Sequence, residues 1–345
     1  MLPASTRPPY LLLVGIDVAA TPSPPFPPLR GRPSSVPARL PQPPERFAAL
    51  LDQLRASRVA PAQTLIVVEA TGSYWVALAV TLHETDYVVS VVNPAQAYRY
   101  AQSLPRRAKT DLLDAPVLAQ LTAERKPAPW TPPPQVYHEL HQPLIARDGL
   151  LTMRQQGRNQ LHALLQWPVV IESVRVQLDG LIADLDRRLA DLEAEIAQVL
   201  ADGAWAESAA LLLSITGIGL ITTAWLLVGT MNFQVCSSAC SASVYVGPVP
   251  VARESGSSVR GHAQIGHAGH ACLRTALYLA TLTAARFNPA IKAHYECLRA
   301  AGKPAKVARC AAARKLLYLA WAIVTKRQSF DPAYSSRSVA ERLVG

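Results

Sequence analysis

Acidic residues are scarce in the last third of this 345-residue chain. From Glu207 to Arg327 there are three (Glu207, Glu254 and Glu296) against thirteen Lys and Arg. The net +10 of that stretch equals the formal charge of the whole chain, so the remainder is neutral. Such asymmetry favours a polyanionic partner, nucleic acid ahead of a membrane surface or an ordinary solvated face. Charge is thin overall: 17% of residues are charged and 50% are apolar, which excludes a disordered chain and implies a sizeable packed core. Cysteine is sparse as well. The five are an odd number without a C-x-x-C pair, which excludes a disulfide scaffold and points to a reducing cytoplasm. Cys236 and Cys240, read with His262, His267 and His270, fit no common zinc spacing. The N-terminus lacks a basic start and a long apolar run, so no signal peptide is expected. One stretch, "LLLSITGIGLITTAWLLVG" (211–229), is long and uncharged. Ser214, Thr216, Gly217 and Gly219 interrupt it, and it reads as a buried helical hairpin rather than a membrane span.

Proline, by contrast, is abundant and clustered. Residues 22–44 carry ten, a density that no paired interior strand tolerates, so this segment reads as a polyproline-like excursion with no strand assigned. Around it, strand and helix patterns alternate. "YLLLVGIDVA" (10–19), "QTLIVVEATGSYW" (63–75) and "YVVSVVNP" (87–94) read as buried strands, with "ERFAALLDQLRAS" and "WVALAVTLHETD" as helices. This predicts an α/β domain over 1–130, followed by linker and coiled-coil helices over 131–205. A helical domain over 206–330 and a tail over 331–345 complete the chain. Leu178, Ile182, Leu185, Leu189, Leu192, Ile196 and Val199 step alternately by four and three. That seam fits a coiled coil between protomers or a long antiparallel pair inside one chain.

The chemistry begins with carboxylates. Asp17 and Glu69 each end an apolar strand, where neighbouring parallel strands bring side chains to one crevice. Asp111 and Asp114, in "AKTDLLDA" behind Lys109, sit at a helix start, where residues three apart share a face. Two readings stand. Asp111 and Asp114 are capping residues, or the four acids hold Mg²⁺ or Mn²⁺, which neutralises their mutual repulsion. Pro116 favours a start at Ala115. In the C-terminal third, "ESGSSVRG" (254–261) sets Ser255, Ser257 and Ser258 among glycines, with Arg260 able to clamp a phosphate. A serine there is a candidate nucleophile toward phosphorus, or the stretch is a polar loop. "SITGIG" has the Gly217–Ile–Gly219 shape of a turn whose amides bind a DNA phosphate. Arg274, Arg314 and Lys315 are further candidate nucleic-acid contacts.

Taken in order, "GID" (15–17), "VEATGSYW" (68–75), "VSVVNPAQA" (89–97) and "AKTDLLDA" (108–115) resemble the N-terminal domain of the DEDD insertion-sequence transposases, of the RNA-guided, invertase-like type. "SITGIG", "YVGPVPVARESGSSVRG" and "RAAGKPAKVARCAAARKLLYLAWAIV" resemble the C-terminal domain of the same family. The resemblance implies an α/β ribonuclease-H-like (RuvC-type) N-terminal domain, a coiled-coil helix and a mainly α-helical C-terminal domain. It implies that Asp17, Glu69, Asp111 and Asp114 bind Mg²⁺ and that Ser255 attacks DNA to form a phosphoserine link. A homo-oligomer, in which one subunit's acids meet another's serine, and a structured guide RNA are implied by the resemblance as well. Two features depart from the family. The two strands that should follow Asp17 are replaced by the proline-rich stretch, and "FQVCSSACSAS" (233–243) stands where a more helical run is usual. A metal-dependent nuclease without a covalent intermediate, and a decayed copy that only binds nucleic acid, are the rival readings.

Overall fold

The computed structural model describes residues 10–19, 35–41, 45–104, 114–247, 250–255, 259–265 and 269–333. The chain divides into two compact units, Met1–Pro132 and Pro133–Gly345.

In the first unit, the apolar runs form a four-stranded sheet of order β2-β1-β3-β4, from β1 (Leu12–Ala19), β2 (Ser35–Pro41), β3 (Thr64–Glu69) and β4 (Val88–Val92). Every neighbouring pair is parallel. Parallel sheets are covered on both faces, which explains why the strands read as unbroken apolar runs. On one face Leu12, Val14, Ile16, Ile66 and Val68 pack against Phe47, Leu50 and Leu54 of α1 (Glu45–Ala56) and against Leu78 and Leu82 of α2 (Tyr74–Glu84). On the other, Leu13, Leu65 and Val67 meet Tyr100 of α3 (Pro94–Ser103) and Val117, Leu118 and Leu121 of α4 (Asp114–Arg125).

Strand β2 corrects the expectation that the proline-rich stretch holds no strand. It lies at the sheet edge, where a residue without an N–H leaves a gap only on the unpaired side. It pairs with β1 from Leu13↔Ser35 to Ala19↔Pro41. The ribonuclease-H-like expectation called for two strands after Asp17, and among the described residues there is one. The start of α4 also differs from the expectation. Asp114 is its first helical residue, and Pro116 falls within the first turn, where a missing N–H breaks no intrahelical bond.

The second unit is helical. α5 (Gln135–Leu164) and α6 (Glu172–Asp202) form an antiparallel pair within the chain. Its register is marked by Arg147–Glu193 and Arg154–Asp186, each 2.7 Å, and Arg158–Asp186 at 3.4 Å. The arginines of the first two pairs are part-buried and their acids more open, so the pairs specify alignment more than they stabilise the fold. At the base of the pair, Leu140, Leu144, Ile196 and Leu200 enter one core with Leu212 of α7 (Ala206–Leu213) and Trp225 and Leu227 of α8 (Leu220–Thr230). The same core takes Leu277 of α10 (Ala271–Phe287) and Leu316 of α12 (Ala305–Lys326). α9 (Ala239–Val246) and α11 (Pro289–Ala300) complete the bundle. The uncharged run at 211–229 is thus the α7–α8 hairpin, and no single described helix is long and apolar enough to cross a membrane.

The Gly/Ser/His-rich stretch expected as a loop contains a β-hairpin instead. β5 (Pro250–Ser255) and β6 (Val259–Ile265) pair antiparallel. Val251, Val259 and Ile265 supply β-branched positions.

Candidate active site

Strand register brings two of the candidate acids together. β1 and β3 pair from Leu12↔Thr64 to Ile16↔Val68, so Asp17 and Glu69 occupy the next position on adjacent parallel strands. Glu69 is also in register with Val92 of β4, and the Ala70 N–H donates to the Val92 carbonyl at 3.0 Å. Residues 64–68 are fully buried and Glu69 half-buried, so its carboxylate is the point where the strand emerges. The Thr71 hydroxyl donates to Glu69 Oε1 at 2.8 Å. Gly72, at φ 59°, turns the chain into α2, and Trp75 Nε1 donates to the Gly72 carbonyl at 3.1 Å.

The third acid depends on helix α4, and a glycine decides how near that helix comes. A Cβ at Gly15 would lie 2.2 Å from Ala119 N and 2.5 Å from Leu118 C, so the α4 backbone rests directly on β1 two residues before Asp17. Asp114 stands one turn upstream of that contact. Asp111 and Lys109 lie outside the described residues. Among the described residues no three His, Cys, Asp or Glu side chains converge, and of the four acids only Glu69 contributes a described side chain.

Ser255 is the last residue of β5 and pairs with Val259, while Glu254 pairs with Arg260. Ser257 and Ser258 lie outside the described residues. Gly217, at φ 102°, sits against α10, where a Cβ would come within 2.5 Å of Ala284 Cβ, whereas Gly219 faces open space at the start of α8. The Arg274 guanidinium donates to the Val246 carbonyl at 3.4 Å. Arg314 turns to its own helix: Nε and Nη2 donate to the Tyr318 hydroxyl at 2.9 and 2.7 Å, with the guanidinium 5.3 Å above the ring. Lys315 is exposed; burial, and then the Lys315 charge, hold His294 below the ordinary histidine range. Sequence reasoning placed less weight on the outer α11–α12 surface, where Lys292, Arg299, Lys303 and Lys306 are all exposed beside the single acid Glu296. The four form no ion pair with a described residue.

Parallel strands ending in adjacent acids in one unit, and an excess of basic residues in the other, are features of a protein that acts on nucleic acid. Comparison with known proteins agrees. Residues 31–167 match the DEDD-type IS110 family described as "Transposase", and residues 209–296 match the "Transposase IS116/IS110/IS902 family". The "Pilin gene-inverting protein" of Moraxella bovis is 30% identical over 269 residues, covering 77% of this chain and 81% of that protein. The protein of the same description from Moraxella lacunata matches to the same extent. The chain belongs to the IS110 family of transposases and recombinases, a DEDD family that implies a divalent metal.

Proposed function

We propose that this chain cuts and rejoins DNA of an insertion sequence, with Asp17, Glu69, Asp111 and Asp114 as a metal-binding tetrad in a ribonuclease-H-like unit and Ser255 as the nucleophile. The observation that carries the reading is the adjacency of Asp17 and Glu69 at parallel strand ends, beside the glycine on which α4 rests. An all-oxygen donor set of carboxylates fits Mg²⁺ or Mn²⁺. The ion would supply Lewis-acid stabilisation of charge on the scissile phosphate.

The remaining steps belong to the chain. The Ser255 hydroxyl gives up its proton and forms an Oγ–P bond as one bridging P–O bond breaks. The departing sugar oxygen takes a proton, and the strand is held as a phosphoserine. Lys109, Ser257, Ser258 and Arg260, with Arg274, Lys315 and the open Gly219 turn, would hold phosphates of DNA and of a structured guide RNA. Gly217 and Arg314 would act through the frame, given their contacts with Ala284 and Tyr318. A second reading, a chain that binds nucleic acid without cutting, draws on the first family match beginning at residue 31, beyond Asp17.

Incubating the purified chain with its element's flanking DNA, Mg²⁺ and RNA from the element's non-coding end tests both. A Mg²⁺-dependent covalent protein–DNA adduct, lost in Ser255→Ala, is expected. Free 5′-phosphate ends without an adduct would replace the serine by water. Salt-sensitive binding that persists in chelator, with no cleavage under any condition, would leave only the binder.

The oligomer would form through the far end of the α5–α6 pair. Leu165, Trp167, Val169, Ile171 and Val174 are exposed there, Trp167 at 69% and Val169 at 73%, and the deepest burial of the seam is at Leu185, Leu189 and Ile196 nearer the base. Clustered exposed apolar side chains mark an interaction surface, and a second copy is the occupant that a homo-oligomer requires. Replacing Trp167, Ile171 and Val174 together by Ser is expected to shift sedimentation to the monomer while leaving the melting temperature within about 2 °C, since exposed sites contribute little to folding. An unchanged sedimentation coefficient would place the interface elsewhere.

A further inference from the structure

Two stems lead from the helical unit to the serine hairpin, and among the described residues they meet. Its first stem is the end of α9, where Gly247 caps the helix at φ 82°. Its second stem is Gly269, at φ 95°. A Cβ on Gly269 would stand 2.5 Å from the Val246 carbonyl oxygen and 2.9 Å from Gly247 N, so the stems meet backbone to backbone. Only glycine permits that approach in that conformation.

Side chains close this junction from the second stem. His270 is the N-cap of α10, and its Nδ1 accepts from the Leu273 N–H at 3.2 Å. Its ring packs edge-on against Trp225 of α8, with centroids 5.4 Å apart. Trp225 meets His141 of α5 at 6.4 Å, and His141 stacks on Tyr137 at 5.1 Å. One turn on from the cap, Arg274 reaches back to the Val246 carbonyl of the first stem. The hairpin's second stem is therefore tied through one imidazole to the core helices α8 and α5.

We propose that His270 is a positioning residue that locks the second stem of the hairpin against the first and thereby fixes where Ser255 is presented. The proposal rests on the reading of Ser255 as nucleophile. The capping bond needs a neutral ring, because protonation turns Nδ1 into a donor facing another donor. Burial, then the neighbouring His141 and Arg274, hold this imidazole below the ordinary histidine range. The groups facing it are His141, with Tyr137 behind, from α5 and Arg274 from its own helix; α8 offers Trp225 and Gly229, and α9 the Val246 carbonyl. None of them is an acid that would favour the charged form. The sign follows: the lock is intact near neutrality and is lost as pH falls through the lowered value, where the unfolded chain binds the proton more readily.

Hydrogen exchange on the intact chain, without DNA or metal, tests the lock. His270→Asn keeps an N-cap acceptor that does not titrate, whereas His270→Ala removes it. The Leu273 amide and strands β5 and β6 are expected to exchange about fivefold faster in the Ala variant at pH 7, the factor that a cap of ordinary strength implies. The wild-type chain should show the same acceleration only on acidification, after correction for intrinsic rates, and the Asn variant none. Equal exchange in the Asn and Ala variants, or a wild type without the acid step, overturns the lock. Adduct formation at saturating DNA then tests positioning. His270→Ala should be slow at all pH, and His270→Asn should lack the acid limb of the wild-type profile. Wild-type adduct rates in His270→Ala would overturn the positioning role. A wild-type chain that forms no adduct overturns the serine reading, while the exchange experiment still decides whether His270 holds the hairpin.

Discussion

Glu69→Gln is expected to slow metal-dependent strand cleavage by at least ~10³-fold, about 4 kcal/mol of barrier, without lowering the melting temperature. The substitution is nearly isosteric, at a half-buried position where the strand leaves the sheet. A glutamine Oε1 can still accept from the Thr71 hydroxyl, so the turn through Gly72 into α2 keeps its hydrogen bond. What changes is one unit of negative charge, and a neutral amide is a poor ligand for a hard divalent cation among carboxylates. Thr71→Val separates the two roles. It removes the donor that orients the carboxylate but keeps the charge, and it should slow cleavage by about 10–100-fold, as loss of an outer hydrogen-bond partner of a metal ligand typically does. Cleavage measured with enzyme in excess over DNA, across a Mg²⁺ series, reads both. A Glu69→Gln chain within tenfold of wild type would remove Glu69 from the metal site, and with it the pairing with Asp17.

Much of the first unit is written in its runs of apolar residues. "LLLVGID", "LIVVE" and "VVSVV" announce buried parallel strands because each must satisfy two covered faces, and their ends place the acids. The proline-rich stretch hides β2 because composition speaks against pairing, and only the sheet edge makes Pro37 and Pro41 tolerable. The hairpin around Ser255 is short, and its Gly, Ser and His content outweighs the few β-branched positions, so local pattern alone reads it as loop. Helix α5 follows a Pro-rich linker and contains Pro143, both of which obscure a 30-residue helix that owes its place to packing on α6 and α8. The long seam of α6 is legible, but its partner is not, since a heptad repeat describes a face and not what covers it. The aromatic ladder to His270 joins three helices far apart in the chain, and no local signal foretells it.

The glycine before the first acid is the clearest case of meaning carried by a long-range contact. In "VGID" it reads as a mild weakness in a strand. In the fold, Gly15→Ala would place a methyl 2.2 Å from Ala119 N, 2.5 Å from Leu118 C and 2.7 Å from Ala119 Cα. All three are helix backbone, so no rotamer change relieves the overlap, and α4 must retreat by an ångström or more. The retreat loosens Val117, Leu118 and Leu121 from Leu13, Leu65 and Val67. Overpacking of this kind costs about 3 kcal/mol, roughly 10 °C in melting temperature for a unit of this size. It also displaces the first turn bearing Asp114, and a misplacement of ~1 Å at a catalytic group costs ~10²-fold in rate. Gly149→Ala is the control. That glycine lies within α5 with nothing within 4 Å of its absent Cβ, so alanine there should stabilise by about 1 kcal/mol. Thermal unfolding and cleavage measured on both variants decide the matter. If Gly15→Ala melts and cleaves like the parent chain, α4 does not lie on β1, and the structural link between Asp114 and the strand-end acids is gone.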